Sequence, residues 1–288
     1  MEFFVQVVLN GIVIGALYGL IALSFNLVYS VTKFFNFAHG ILAAVGGYGV
    51  YFFFKILDWN IWLSIVLGVV VAALVGWLSE KLLYLRLRRR KASNLVLLVA
   101  SLGVFTVFQA LIAMLFDNQF RTLATSAGGQ GSIEILSASI TMVQLLIIVL
   151  SIVVTITLML VLKKTMLGRM IKAVGDDEEV SKIVGINTNK VIAKVFIIGS
   201  AIVGLAGVLH GFDTGIEPVM GMAFLLKGVI AAIIGGIGTV SGGFLGGLLL
   251  GLAENLGIIF ISAAWKDAIA FGILILFLLF RPTGIIKK

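Results

Sequence analysis

The chain has 288 residues, 61% of them hydrophobic and 12% charged, and a formal net charge of +8. A soluble domain keeps about a quarter of its residues charged to cover its surface, so a single aqueous fold does not accommodate this chain and lipid must be part of its solvent. The lack of cysteine excludes disulfides and thiol chemistry, and in such a chain positive charge sets membrane orientation before it implies nucleic acid.

In lipid every backbone polar group must be satisfied within the protein, which leaves helices or closed barrels. A barrel would alternate apolar and polar residues over segments of about 10 residues. Here the apolar runs are continuous, so an all-α, polytopic protein is expected, with one transmembrane domain over 1–288. Nine spans of about 20 residues are predicted at 5–29, 37–56, 61–84, 95–116, 140–162, 191–212, 221–236, 240–261 and 267–281. In an eight-span alternative the seventh and eighth runs merge, or one of them is re-entrant.

The first run opens with MEFFVQVVLNG, which lacks a basic n-region, so a retained span is expected rather than a cleaved signal peptide. The second begins with FNFAHG, Phe35–Gly40. Asn36 can cap this helix and His39 sits a turn inside. Both residues are read either as cap and packing, or as lining a path or its inner gate. The third run ends in RLRRRK. If that end is cytoplasmic, alternation puts 17 of the 21 Lys and Arg at or near the same side, the positive-inside pattern, with the C-terminus in the cytoplasm. Nine spans then put the N-terminus outside; eight put it inside.

Gln109 in the fourth run is a candidate for the path or for an interhelical hydrogen bond. The polar stretch Asp117–Ser139 is read as a connector or as an outer docking surface. The longest hydrophilic stretch, Lys163–Lys194, follows the fifth run. Its acids Asp176, Asp177, Glu178 and Glu179 read as a helix start, where they offset the macrodipole, in preference to a metal site. Beyond them Val180, Ile183, Val184 and Ile186 can share one face of a short amphipathic helix. His210, Asp213 and Glu217 gather at the outer end of the sixth run. GGIGTVSGGFLGG, Gly235–Gly247, lacks the Lys-Ser/Thr ending of a phosphate loop and reads as a tightly packed turn. Glu254 and Asn255 lie in the eighth run. Lys227, in the seventh, is a candidate partner for Glu254, because charges at membrane depth call for pairing. The two histidines have no metal-ligand spacing and no catalytic constellation emerges. Neither an enzyme, a cofactor nor a metal is expected.

The inner loop GRMIKAVGDDEEVSKIVGINTNKVIAKVF resembles the coupling loop of ABC importer permeases, whose signature is Glu-Ala-Ala, three residues, then Gly. Here it reads Glu179-Val180-Ser181, three residues, then Gly185, with both alanines replaced. The wider stretches are similar to the branched-chain amino acid (Liv-type) permeases, and most to the H-type. They are NGIVIGALYGLIALSFNLVYSVTKFFNFAHG, GGIGTVSGGFLGGLLLGLAEN and KDAIAFGILILFLLFRPTGI, so the likeness spans the chain.

The resemblance implies a many-helix permease subunit in a bacterial or archaeal cytoplasmic membrane. It implies a second, homologous permease, two cytoplasmic ATPase subunits and an extracytoplasmic solute-binding protein, with alternating access driven by ATP and no hydrolysis on this chain. Asp177, Glu178, Glu179, Val180, Ile183 and Gly185 would couple to the ATPases. Asn36, His39, Gln109, Lys227, Glu254 and Asn255 are the pathway candidates. Branched-chain or other hydrophobic amino acids are the expected cargo, with urea or short amides the alternative within the same family. An ATP-independent transporter or channel is the rival of another class; it would show ion-coupling acids and an inverted repeat.

Overall fold

The structure, a computed structural model, describes residues 2–124, 132–135 and 138–286. Helices dominate, as the continuous apolar runs require. They are α1 (Glu2–Thr32), α2 (Ala38–Tyr51), α3 (Ile61–Ser79), α4 (Leu85–Arg89), α5 (Asn94–Phe116), α6 (Met142–Lys164), α7 (Met166–Asp176), α8 (Glu178–Ile183), α9 (Thr188–Asp213), α10 (Met220–Gly235), α11 (Val240–Gly257) and α12 (Lys266–Phe280). π-Helical turns Phe52–Ile56 and Glu80–Tyr84 extend α2 and join α3 to α4, and a 3-10 turn Ala263–Trp265 leads into α12. Polar side chains start several helices where the chain enters them. Asn60 accepts from Trp62 N, Ser93 from Val96 N, Thr165 from Gly168 N and Asn187 from Lys190 N, each satisfying an orphan donor of a first turn.

Among the described residues seven helices are long and apolar enough to cross a membrane, or eight if the α10–α11 pair, bent by 113°, counts as one span. This corrects the expected nine. At 1.5 Å per residue the 16 residues of α10 and 18 of α11 reach about 24 and 27 Å. Sharing the 113° bend equally tilts each limb by about 34°, so they rise about 20 and 22 Å, short of the roughly 30 Å hydrocarbon thickness. The count is therefore seven with α10–α11 as a re-entrant hairpin, or the alternative of eight if the two runs merge into one span.

A strand pair missed by the sequence reading precedes α6. β1 (Ser132–Ile135) and β2 (Ala138–Thr141) are antiparallel, with Ser132 opposite Thr141 and Ile135 opposite Ala138. Gln6 of α1 acts as a neighbouring strand to β2: its amide donates to Ser139 O at 3.0 Å and accepts from Ser139 N at 2.9 Å. The rest of the expected outer docking stretch, 125–131 and 136–137, lies outside the described residues.

The chain forms two compact units. The first comprises Met1–Asn26, Ala124–Ile156 and Leu226–Lys288. Its core is a glycine seam. A Cβ on Gly15 of α1 would lie 2.9 Å from Leu248 Cα, and one on Gly247 or Gly251 of α11 would overlap the backbone of Gly19 or Gly15. Four-residue glycine spacing on both helices lets their backbones touch, and dispersion at close range replaces the hydrophobic drive that lipid does not supply. The expected packed turn is also here. Asn26, fully buried, donates to Thr239 O at 2.8 Å and accepts from Gly238 N at 2.9 Å. Gly236 and Gly238 have φ of +114° and +81°, which only glycine adopts freely. The tail returns to this turn: Ile285 N and Ile286 N donate to Ile234 O and Gly235 O, the last carbonyls of α10.

The second unit comprises Leu27–Leu123 and Thr157–Leu225. Here α2 is buried along almost its whole length between α3 and α9. A Cβ at Gly49 would meet Gly68 Cα at 3.0 Å, and ones at Gly46, Gly207 and Gly76 would overlap Gly204, Ala43 and Ser200. The outer faces of α3 and α5 carry exposed Leu, Val and Trp, such as Leu63, Val66, Leu74 and Val107, as lipid-facing helices do.

Candidate functional site

The polar stretch Lys163–Lys194 holds two helices before α9, not one. α7, absent from the sequence reading, buries Gly168, Ile171, Val174 and Gly175 and exposes Arg169, Lys172 and Asp176. Gly175 packs on Ser30 O, 2.8 Å from its would-be Cβ. Asp177 then breaks the helix with extended φ and ψ and caps α8, its Oδ1 accepting from Glu179 N at 2.8 Å and Val180 N at 3.0 Å. The acidic cluster is thus a helix start. Among the described residues no group of three His, Cys, Asp or Glu is placed to hold a metal.

α8 ends in a Schellman motif. Ile186 N donates to Ser181 O at 2.9 Å and Gly185 N to Lys182 O at 3.1 Å, with Gly185 at φ +86°. Nothing lies within 4 Å of a Cβ placed on Gly185, so glycine is required there by backbone conformation and not by crowding. Glu178 ties α8 to α9: its Oε1 accepts from Lys182 Nζ at 2.8 Å and from Thr188 Oγ1 at 3.2 Å. Burial pushes the Glu178 carboxyl up, but the Lys182 hydrogen bond and charge, followed by the Arg88 charge and the Thr188 hydroxyl, outweigh it and hold it below its ordinary value.

The outward face of α8 is apolar. Ser181 is buried, whereas Val180, Ile183 and Val184 are exposed, Ile183 by 83%. Glu179 is exposed beside them and Ile186 is half-buried. A six-residue helix therefore turns its apolar side outward from the protein, held by a cap at each end and by Glu178.

Lys227 and Glu254, which the sequence could not bring together, form a buried ion pair in the first unit. Lys227 Nζ also reaches Asp267 Oδ1 at 2.8 Å, and Tyr18 OH donates to Glu254 Oε2 at 3.1 Å. Asn255 is buried beside them but donates to Gly251 O of its own helix at 2.8 Å. In the second unit, Asn36 Oδ1 accepts from Ala38 N, the first residue of α2, at 3.1 Å and from Tyr84 OH at 3.0 Å, while the N-cap position itself falls one residue later than expected, at Phe37. His39 is buried within α2. Gln109 is half-buried on α5. At the C-terminal end of α9, His210 bonds Thr214 Oγ1 at 2.9 Å and packs edge-on to Phe224.

Sequence reasoning missed Tyr18, Asn26, Tyr84, Asp267 and the Glu80–Arg88 pair. Glu80 is buried and ion-paired to Arg88 across the π-helical turn. An acid inside the third apolar run was the available signal for Glu80. The extra residue in the π turn, which aligns positions eight apart, had none.

A sequence profile for a family described as branched-chain amino acid transport system / permease component matches residues 7–278. The chain is 34% identical over 298 aligned residues to the high-affinity branched-chain amino acid transport system permease protein LivH of Salmonella typhimurium, covering 99% of this chain and 96% of that one. It is likewise 34% identical to the corresponding BraD protein of Pseudomonas aeruginosa, over 297 residues and the same shares. Among solved structures, PsaBC from Streptococcus pneumoniae in complex with Fab matches with a TM-score of 0.51 at 13% identity. That match covers 98% of this chain and 93% of that one, a likeness of fold.

Proposed function

Because the chain belongs to the branched-chain amino acid transport system permease family, we propose that it is the permease subunit of an ATP-driven importer and carries branched-chain amino acids inward by alternating access. A second, homologous permease completes the path, two cytoplasmic ATPases drive it, and an extracytoplasmic binding protein delivers the cargo. This chain hydrolyses nothing itself. The C-terminus faces the cytoplasm with the basic segments, and with α10–α11 as a hairpin the N-terminus faces outward.

The observation that carries the coupling role is the exposed apolar face of α8. Val180, Ile183 and Val184 stand in water, where a short helix gains nothing from them unless a partner covers them. Movement of α8 reaches α9 through Glu178, Lys182 and Thr188. α9 is locked to α2 and α3 by contacts too close for any Cβ, so the push moves a rigid three-helix body. Asp177 and Gly185 shape α8; Glu179, Val180 and Ile183 meet the ATPase. Lys227 and Glu254 are the polar pair offered to the pathway, whereas Asn36 and Asn255 spend hydrogen bonds on their own helices.

The test is reconstitution with the ATPases and binding protein in vesicles. Glu179→Arg and Gly185→Val are expected to insert normally yet abolish cargo-stimulated ATP hydrolysis and uptake, while Gly185→Asn, which tolerates positive φ, keeps much of both. Normal uptake by both Glu179→Arg and Gly185→Val would sink the coupling assignment. Uptake without any ATPase would place the chain in the rival class of transporters.

A further inference from the structure

Between α3 with its π-helical turn and α5 lies a groove of about 500 Å3, lined by Leu78, Leu82, Leu83, Gly103, Val104 and Phe108. Gly103 deepens it, since a Cβ there would meet no atom within 4 Å. The lining runs from Leu78 to Leu83 on one side and from Ala100 to Phe108 on the other, about 8 to 12 Å along the helices.

One turn beyond Leu82, about 6 Å further, the character changes. Arg86, Arg89, Arg90 and Lys91 are all exposed, and no ion pair among the described residues involves any of them. Arg88 is the exception in the run, because Glu80 holds it. No Asp or Glu occurs from residue 81 to 116, so nothing on these helices offsets the charge. Lys81 lies over the Trp77 ring at 4.6 Å, a pairing suited to the depth at which a membrane passes from tails to headgroups.

We propose that the groove and the basic run together form a binding site for one anionic phospholipid, its acyl chain in the groove and its phosphate at Arg86, Arg89 and Arg90. An amphiphile has this order of parts, apolar over a short length and then a single anionic head. A partner helix fits less well, because a groove of about 12 Å accommodates less than half of the roughly 30 Å that a crossing helix must cover. Basic residues at the cytoplasmic end of a span face the anionic leaflet, which supplies the attraction. The site rests on the membrane-spanning fold and on these side chains, independently of the transport reading.

The test uses the full chain in nanodiscs of phosphatidylethanolamine and phosphatidylglycerol, followed by native mass spectrometry of the retained lipid. The wild type is expected to retain phosphatidylglycerol in preference. Arg89→Gln with Arg90→Gln should reduce that preference about thirtyfold, and Gly103→Phe should expel the lipid with the basic run intact. Orientation survives the charge variant because Arg86, Arg88, Lys91 and the inner loop remain basic. Since that variant alters only exposed side chains, it still decides the matter if Gly103→Phe does not fold. Equal retention of both lipids by the wild type, or unchanged retention in both variants, would overturn the proposal. So would efficient cross-linking of a Gly103→Cys variant to another protein chain in native membranes, which would identify a protein as the occupant.

Discussion

Replacing Lys227 with methionine keeps roughly the length of the side chain and removes its buried charge from the first unit. Lys227 bridges two carboxylates of unequal situation. Glu254 is 1% exposed, whereas the Asp267 side chain is 78% exposed. Solvent screens the Asp267 limb, which is worth about 0–1 kcal/mol. Glu254 cannot be rescued by water, and after the substitution its remaining hydrogen bond among the described residues is from Tyr18. Stripping the partner from a buried charge costs about 3–5 kcal/mol. Lys227→Met is therefore expected to lower the midpoint of thermal unfolding in detergent by roughly 10 °C. Asp267→Asn should lower it by no more than about 4 °C. Adding Glu254→Gln to Lys227→Met removes the stranded charge and should recover most of the loss. A Lys227→Met protein as stable as Asp267→Asn, or a double variant no better than the single, would refute the reasoning. The stabilised double variant then isolates the pathway role: if the pair serves cargo passage, it folds but takes up less substrate.

The glycine seam predicts position-specific damage. Gly247→Leu, whose Cβ would overlap the Gly19 backbone, should cost more than about 4 kcal/mol and abolish recovery of folded protein. Gly272→Leu, with no atom within 4 Å of its Cβ, should behave as wild type; purification yield and size-exclusion profiles check both. Glu178 predicts a pH dependence of the coupling helix. Its carboxyl is held below its unfolded value of 4.5, so its contribution is complete above that value and lost as pH falls through the depressed folded value. The protection of residues 178–186 against hydrogen exchange, taken relative to the intrinsic rate at each pH, should fall on acidification into that range in the wild type, and Glu178→Gln should already be less protected at neutral pH, with little further change. The same acid dependence in Glu178→Gln would assign the effect to another group.

Several features were legible before any coordinates, because each depends on local chemistry. Asn36 bonds the first residue of α2, and the acidic cluster at Asp176–Glu179 opens α8, both consequences of side chains that a short window contains. The Gly235–Gly247 stretch read as a packed turn because glycine without a phosphate-binding Lys has little else to do there. The nine-span count went astray where length and bend matter more than composition, since hydropathy counts apolar residues and is blind to the 113° bend between α10 and α11.

By itself the sequence determined that the protein lives in lipid, is helical, gathers its basic residues into a few polar segments and carries a short amphipathic helix in its longest polar loop. These follow from the cost of exposing backbone or charge to hydrocarbon, which acts residue by residue. Only the tertiary structure decided which way α8 faces, with Ser181 inward and Ile183 outward, and that Tyr18, Lys227, Glu254 and Asp267 meet from four helices. A helix's pattern defines two faces without saying which one its neighbours cover, and pairing across some 240 residues depends on how helices pack.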